Sequence, residues 1–218
     1  MHGLAYSQDG YFTAAQAREH GFSTQLVDHH VRSGRYERAR RGLYRLQGYP
    51  GSSHEHVRAS WLTVGADRAV VSHESALDLH DLSDVLPDSV HLLVDRRDRG
   101  IKPPGGVMIH TTGEPLRQSE MMSIDGIRVT SPERSILDAA SAGTQPEQIE
   151  MAVREALKQG LATAKGLRER SQGRRVAQLI AGAIDQTRST CASAWAREPP
   201  RTSTSRAPTT NRPRPPIW

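Results

Sequence analysis

Between Ser23 and Arg32 the chain alternates at helical spacing between a small, polar face and an apolar one. Ser23, Thr24, Gln25, Asp28, His29 and Arg32 belong to the first, and Val27 and Val31 to the second, with Leu26 and His30 flanking it. Small polar side chains near a helix N-terminus can hydrogen-bond base edges in a major groove, and the first amides of such a helix suit a phosphate. The next segment carries Arg35, Arg38, Arg40, Arg41 and Arg45, whose planar guanidinium forks match phosphate oxygens. The first set is therefore expected to read bases and the second to hold phosphates.

Other residues invite catalytic or metal chemistry, but their spacing argues against it. His54 and His56, and His73 with His80, are the histidine pairs closest to a ligand pattern. A zinc-protease helix needs its second histidine four residues after the first, and after His73 that place is Leu77. Asp95, Asp98 and Lys102 have the composition of a nuclease carboxylate cluster, yet Arg96, Arg97 and Arg99 between them read as a solvated loop. Ser131 lacks the glycine-framed turn of a nucleophilic serine and reads as a helix cap, with Asp138 a structural hydrogen-bonding residue two turns on. No catalytic residue, metal ligand or cofactor is expected, and the chain is read as a non-enzyme.

The elements that must position the first two sets are punctuated clearly. Thr13 can cap a helix that Gly21 ends, and Ser23 can cap a second that Gly34 ends. Two short β-rich runs, Tyr36–Arg40 and Leu43–Leu46, flank a turn at Arg41-Gly42 and make a hairpin. Helix, glycine turn, helix and hairpin together form a winged helix-turn-helix over residues 10–48. Residues 1–49 hold seven Arg against four acidic residues, most of the excess lying between Arg32 and Arg45.

The runs Tyr11-Phe12-Thr13-Ala14-Ala15-Gln16-Ala17, Gly21-Phe22-Ser23, Val31-Arg32-Ser33-Gly34 and Arg40-Arg41-Gly42-Leu43-Tyr44 resemble, in order and spacing, the N-terminal winged-helix domain of AbiEi-family antitoxins. Downstream, Val129-Thr130-Ser131-Pro132-Glu133-Arg134-Ser135-Ile136-Leu137-Asp138 is similar to a helix-opening segment of the same proteins. The resemblance implies a type IV toxin–antitoxin or abortive-infection system. Its N-terminal domain would repress its own promoter, double-stranded DNA with inverted repeats, and its C-terminal domain would counter a nucleotidyltransferase-like toxin. The residues alone leave open a stand-alone winged-helix regulator or, with less support, a DNA-targeted nuclease.

The expected fold class is α+β. Residues 1–49 form the winged helix-turn-helix, residues 50–186 a mixed α/β domain, and residues 187–218 a disordered basic tail. In the middle part, helices are predicted from His54 to Val64, His73 to Leu82, Ser131 past Asp138, from Pro146, and around Lys165–Arg170 and Arg174–Asp185. Val90–Val94 and Val107–His110 are predicted as neighbouring strands, and Ile124–Val129 as a strand with a turn. Residues 1–186 balance 23 basic against 23 acidic residues, so the net charge of +5 resides in the tail, with its six Arg and only Glu198. Six prolines and few aliphatics there cannot offset ordering entropy by burial. A single Cys191 excludes an intramolecular disulfide, and no stretch approaches the ~20 apolar residues of a membrane span. A cytoplasmic location follows as the expectation.

Overall fold

The computed structural model describes residues 1–195. Its N-terminal part runs α1 (His2–Tyr6), β1 (Tyr11–Thr13), α2 (Ala14–Glu19), α3 (Thr24–Arg32), β2 (Tyr36–Arg40) and β3 (Leu43–Leu46). The caps fall where the sequence places them. The Thr13 hydroxyl accepts the Gln16 amide while the Gln16 side chain accepts the Thr13 amide, a reciprocal capping box, and the Ser23 hydroxyl accepts the Leu26 amide. The hairpin β2–β3 is antiparallel, as expected, with Gly42 at φ +76° closing its turn.

Two elements go beyond the sequence expectation. β1 adds a third strand beside β3, making the sheet β1-β3-β2, and α1 packs before it. Three residues are too few to show strand alternation, which is why Tyr11–Thr13 reads in sequence only as the approach to a helix. Phe12, fully buried, is the centre of this part. Tyr36 meets it edge-on at 4.9 Å between ring centroids and Tyr44 stacks at 5.6 Å, with Ala5, Ala17 and Val27 around them.

The second part contains α4 (Glu55–Val64), β4 (Ala69–Val71), α5 (His73–Leu79), β5 (Val90–Asp95), β6 (Val107–Thr112), β7 (Met121–Ile124), β8 (Ile127–Thr130), α6 (Pro132–Ala142), α7 (Pro146–Lys158), α8 (Ala164–Ser171) and α9 (Ala177–Trp195). Five strands form one mixed sheet in the order β6-β5-β4-β8-β7. β5 and β6 are neighbours as predicted and run parallel, and the strand with a turn predicted over 124–129 is the tip of a longer hairpin, β7–β8, around Asp125-Gly126. β4 has no counterpart in the sequence expectation: its three residues sit immediately before the cap of α5.

Strand alternation divides the sheet's side chains between two faces. Ala69, Val71, Val90, Leu92, Val94, Val107, Ile127 and Val129 pack with Val57, Trp61 and Leu62 of α4, and Tyr11 and Leu43 of the N-terminal sheet join the same core. A second core lies among the C-terminal helices, built from Ile136, Leu137, Ile149, Val153, Leu167, Ile180 and Ile184 with Leu77 and Leu82 from the α5 region. On α7, Ile149, Val153 and Ala156 are fully buried, and Leu157 lies at their margin.

Two sequence expectations are corrected here. Ser131 stands at the N-cap of α6, but its side chain makes no cap hydrogen bond; its carbonyl accepts the Ser135 hydroxyl instead. The boundary of the tail also moves. α9 continues past residue 187 to Trp195, because the run from Thr187 to Trp195 contains neither Pro nor Gly and the composition that suggested disorder comes from the prolines farther on. The proline-rich stretch, 196–218, lies outside the described residues. Among those described, no helix is long and apolar enough to cross a membrane.

Candidate nucleic-acid interface

α3 has one apolar face and one free face. Val27 is buried against Phe12 and its neighbours, Val31 and His30 are half-buried, and the His30 ring lies 5.0 Å from that of Tyr36. Ser23, Thr24, Gln25, Asp28, His29 and Arg32 are all exposed; at helical spacing the last five share one side, while Ser23 is the N-cap, its hydroxyl on the Leu26 amide. Leu26, also exposed, sits among them. The turn from α2 to α3 is made by Gly21 at φ +79°, and the Phe22 amide returns to the Ala17 carbonyl.

The five arginines expected on phosphates do not share one environment. Arg35, Arg38 and Arg41 are exposed at the base and along the wing. Arg40 is half-buried: a register shift between Arg38 and Arg40 marks a bulge at Ala39, and Arg40 Nη1 is buried without a hydrogen-bond partner. Arg45 is turned inward. It donates to Glu55 Oε2 at 2.8 Å and to the Pro50 carbonyl at 3.2 Å, lies 3.8 Å from Glu37, and places its guanidinium 5.1 Å from the centre of the Tyr11 ring. With Nε and Nη2 engaged and its side chain 14% exposed, Arg45 ties the wing to α4 in this structure and does not share the solvent-facing position of Arg38 and Arg41. Spacing along a strand gives the side of the sheet but not what lies beneath it, and Glu55 is what captures Arg45.

The residues considered for enzymatic chemistry are accounted for otherwise. Asp95 caps a 3-10 turn by accepting the Arg97 amide, with Arg97 also near Asp98. Asp138 receives two hydrogen bonds from Arg134 Nε, at 2.8 and 2.9 Å. Arg134 and Arg170 share Glu120, each at 3.3 Å, and Arg170 also pairs with Glu133 at 2.9 Å, so the network clamps α6 to α8 and to the approach of β7. Burial pushes the Asp138 carboxyl up against the pull of Arg134. His54 pairs with Asp78 at 3.6 Å, His56 is exposed, and buried His80 donates from Nε2 to the Thr130 carbonyl at 2.8 Å.

One grouping is not apparent from the sequence. His73, His91 and His110 come from the start of α5, from β5 and from β6, and their candidate ligand nitrogens all lie within 4.8 Å of one another. His73 and His110 are stacked at 3.6 Å, and His110 Nε2 approaches His91 Nδ1 to 3.1 Å. Burial, reinforced by the neighbouring rings, depresses His73 to about 3 and His110 to about 4, and burial lowers His91 as well. The signal that could have found it is a histidine in each of two strands read as neighbours.

Residues 4–47 match the model of a family described as "Transcriptional regulator, AbiEi antitoxin". The match covers α1 through the wing and agrees with the resemblance carried by the N-terminal motifs. Among solved structures, the chain is similar to the "Crystal structure of RV2827C protein from Mycobacterium tuberculosis", with 14% identity, a TM-score of 0.53, and coverage of 85% of this chain and 74% of that chain. That likeness is one of fold, and it extends beyond the N-terminal segment into the α/β part. No curated protein matches the chain. The matched family is one of antitoxin transcriptional regulators.

Proposed function

We propose that the chain is a sequence-specific DNA-binding autorepressor and the antitoxin of a type IV toxin–antitoxin system, acting in the cytoplasm without catalysis. In this reading residues 1–49 recognise inverted repeats in the promoter of its own operon, and residues 50–186 counter a nucleotidyltransferase-like toxin. The observation that carries the DNA-binding part is the exposed polar face of α3, Thr24, Gln25 and Asp28, set beside a wing whose Arg38 and Arg41 are free in solvent. The helix supplies groups that distinguish base pairs and the wing supplies cations that neutralise backbone charge, which is the division of labour of a winged helix on duplex DNA.

The test is binding of the full chain to its own promoter and to a random duplex across a salt series. Preference for the promoter that survives rising salt supports the reading; equal affinity for both duplexes at every salt concentration overturns it. The antitoxin part is tested by co-expression with the product of a neighbouring gene carrying nucleotidyltransferase motifs. Growth restored by this chain supports it, and growth arrest unaffected by the chain overturns it.

A further inference from the structure

We infer that His73, His91 and His110 form a binding site for one divalent transition-metal ion, which fastens the edge strand β6 to the start of α5. The inference does not depend on DNA binding, because none of the three residues lies in the winged helix.

β5 and β6 run parallel, with His91 opposite Met108 and Leu93 opposite His110, so His91 and His110 are diagonal neighbours on one face. It is the face opposite the large core that contains Val90, Leu92, Val94 and Val107. His73 reaches the pair from the N-terminus of α5. Tetrahedral ligands at zinc–nitrogen distances of about 2.0–2.1 Å stand about 3.3 Å apart. The His91 Nδ1 and His110 Nε2 atoms stand 3.1 Å apart, near that separation, and one ring nitrogen from each of the three histidines lies within 4.8 Å of the others.

Two local features point the same way. His73 has φ +53°, a left-handed conformation unfavourable for a residue with a Cβ, at the first position of α5. The Ser72 hydroxyl lies 2.9 Å from His73 Nδ1, and Ser72 makes no cap bond to the helix. A partner at Nδ1 leaves Nε2 as the ring's remaining ligand nitrogen, and such an outer hydrogen bond is what orients a metal-bound imidazole.

The alternative, three neutral imidazoles filling a core, fits this location less well. His91 and His110 are only half-buried and line a groove with Glu74, Asp88, Met108 and Thr144. The Glu74 carboxylate accepts the Thr144 hydroxyl at 2.7 Å beside this groove. Three imidazole ligands with no cysteine among them suit Zn²⁺, Cu²⁺ or Ni²⁺, and a tetrahedral ion would keep a fourth position toward that groove.

The experiment uses the full chain stripped with EDTA and then titrated with ZnCl₂ by calorimetry and with CoCl₂ by visible absorption. One ion per chain is expected, with the intense bands of tetrahedral Co²⁺ and a rise in Tm with Zn²⁺. X-ray absorption of the zinc-loaded wild type should show three imidazole nitrogens at about 2.0–2.1 Å. His110→Asn and His91→Gln should abolish stoichiometric binding, His56→Ala should leave it unchanged, and Ser72→Ala should weaken it about 10–100-fold as a positioning residue. The zinc spectrum of the wild type decides the matter even if a variant fails to fold. Absence of one-to-one binding, a zinc shell with fewer than three imidazoles, or binding undiminished in a folded His110→Asn chain would each overturn the inference.

Discussion

Arg58 donates from Nε to Asp9 Oδ2 at 2.6 Å, with its side chain 4% exposed, and this ion pair joins α4 to the loop between α1 and β1. The same guanidinium donates from Nη2 to the Asp125 carbonyl at 2.7 Å in the β7–β8 turn. A single arginine thus bridges the winged helix, α4 and the far hairpin of the second sheet. Together with Tyr11 and Leu43, which enter the large core, it makes the N-terminal part continuous with the α/β part.

Asp9→Asn is accordingly expected to destabilise the whole chain and not just its N-terminus. Removing one partner leaves a buried guanidinium uncompensated, a change that costs about 3–5 kcal/mol where both partners are inaccessible. Asp9 is 22% exposed, so the loss should fall near the lower end of that range. Urea unfolding followed by fluorescence in a chain with Trp195 and Trp218 replaced by Phe, which leaves Trp61 in the shared core as the reporter, is the measurement. A local loss confined to the first residues, with the Trp61 transition unmoved, would show the two parts to be energetically separate.

Base specificity is expected to reside in α3. Gln25→Ala removes an exposed amide able to bridge two atoms of one base, and should reduce discrimination at one or two base pairs by about 1–3 kcal/mol while leaving stability nearly unchanged. Selection of binding sites from a randomised pool measures this. An unchanged consensus for the variant would place recognition elsewhere.

How much of this is legible in the sequence depends on whether the signal is local. The caps at Thr13 and Ser23 and the turns at Gly21, Gly34 and Gly42 are readable because each rests on one residue's conformational or hydrogen-bonding chemistry, and the hairpin follows from them. β1 and β4 are not, since three residues carry no periodicity and each is a strand only because β3 or β5 lies beside it. The same limit hides the fate of Arg45 and the histidine cluster. Arg45 looks like its neighbours until Glu55 is placed under it, and His73, His91 and His110 share no spacing that a single element would produce. Reading β5 and β6 as neighbours puts two of those histidines within reach of each other, but only the register shows that they share a face.

Acid sensitivity should carry a contribution from His80. Burial lowers its proton affinity below the ordinary 6.5, outweighing the Thr130 carbonyl and Asp81, which act the other way. The folded chain therefore keeps this ring neutral at a pH where the unfolded chain has taken up a proton. Below about 6.5 the unfolded state binds more protons, so the stability this group supports is complete above that pH and is lost as pH falls from there toward the folded value. His80→Gln retains a donor for Thr130 and removes the titration. Denaturation midpoints for the two chains should run parallel above pH 6.5 and converge below it. Parallel curves throughout would mean that His80 is protonated equally in both states.

The last prediction separates arginines that sequence treats alike. Arg41 is exposed at the wing's tip, while Arg45, just past the turn glycine on β3, is held by Glu55, Pro50 and the Tyr11 ring. If the wing is a positioned clamp on the DNA backbone, Arg41→Ala should weaken promoter binding and lower the slope of log affinity against log salt by about 0.9, the amount expected for one phosphate no longer neutralised. Its thermal stability should stay near that of the wild type, because nothing inside the protein depends on the side chain. Arg45→Ala should do the reverse. It removes a partly buried ion pair and the cover over Tyr11, so Tm should fall, while the salt slope at a temperature where the variant is folded should remain that of the wild type. Both quantities are to be measured on both variants at one pH. A lowered salt slope for Arg45→Ala with unchanged Tm would show that its ion pair with Glu55 opens on DNA, and that the wing engages the duplex from the side now turned toward α4.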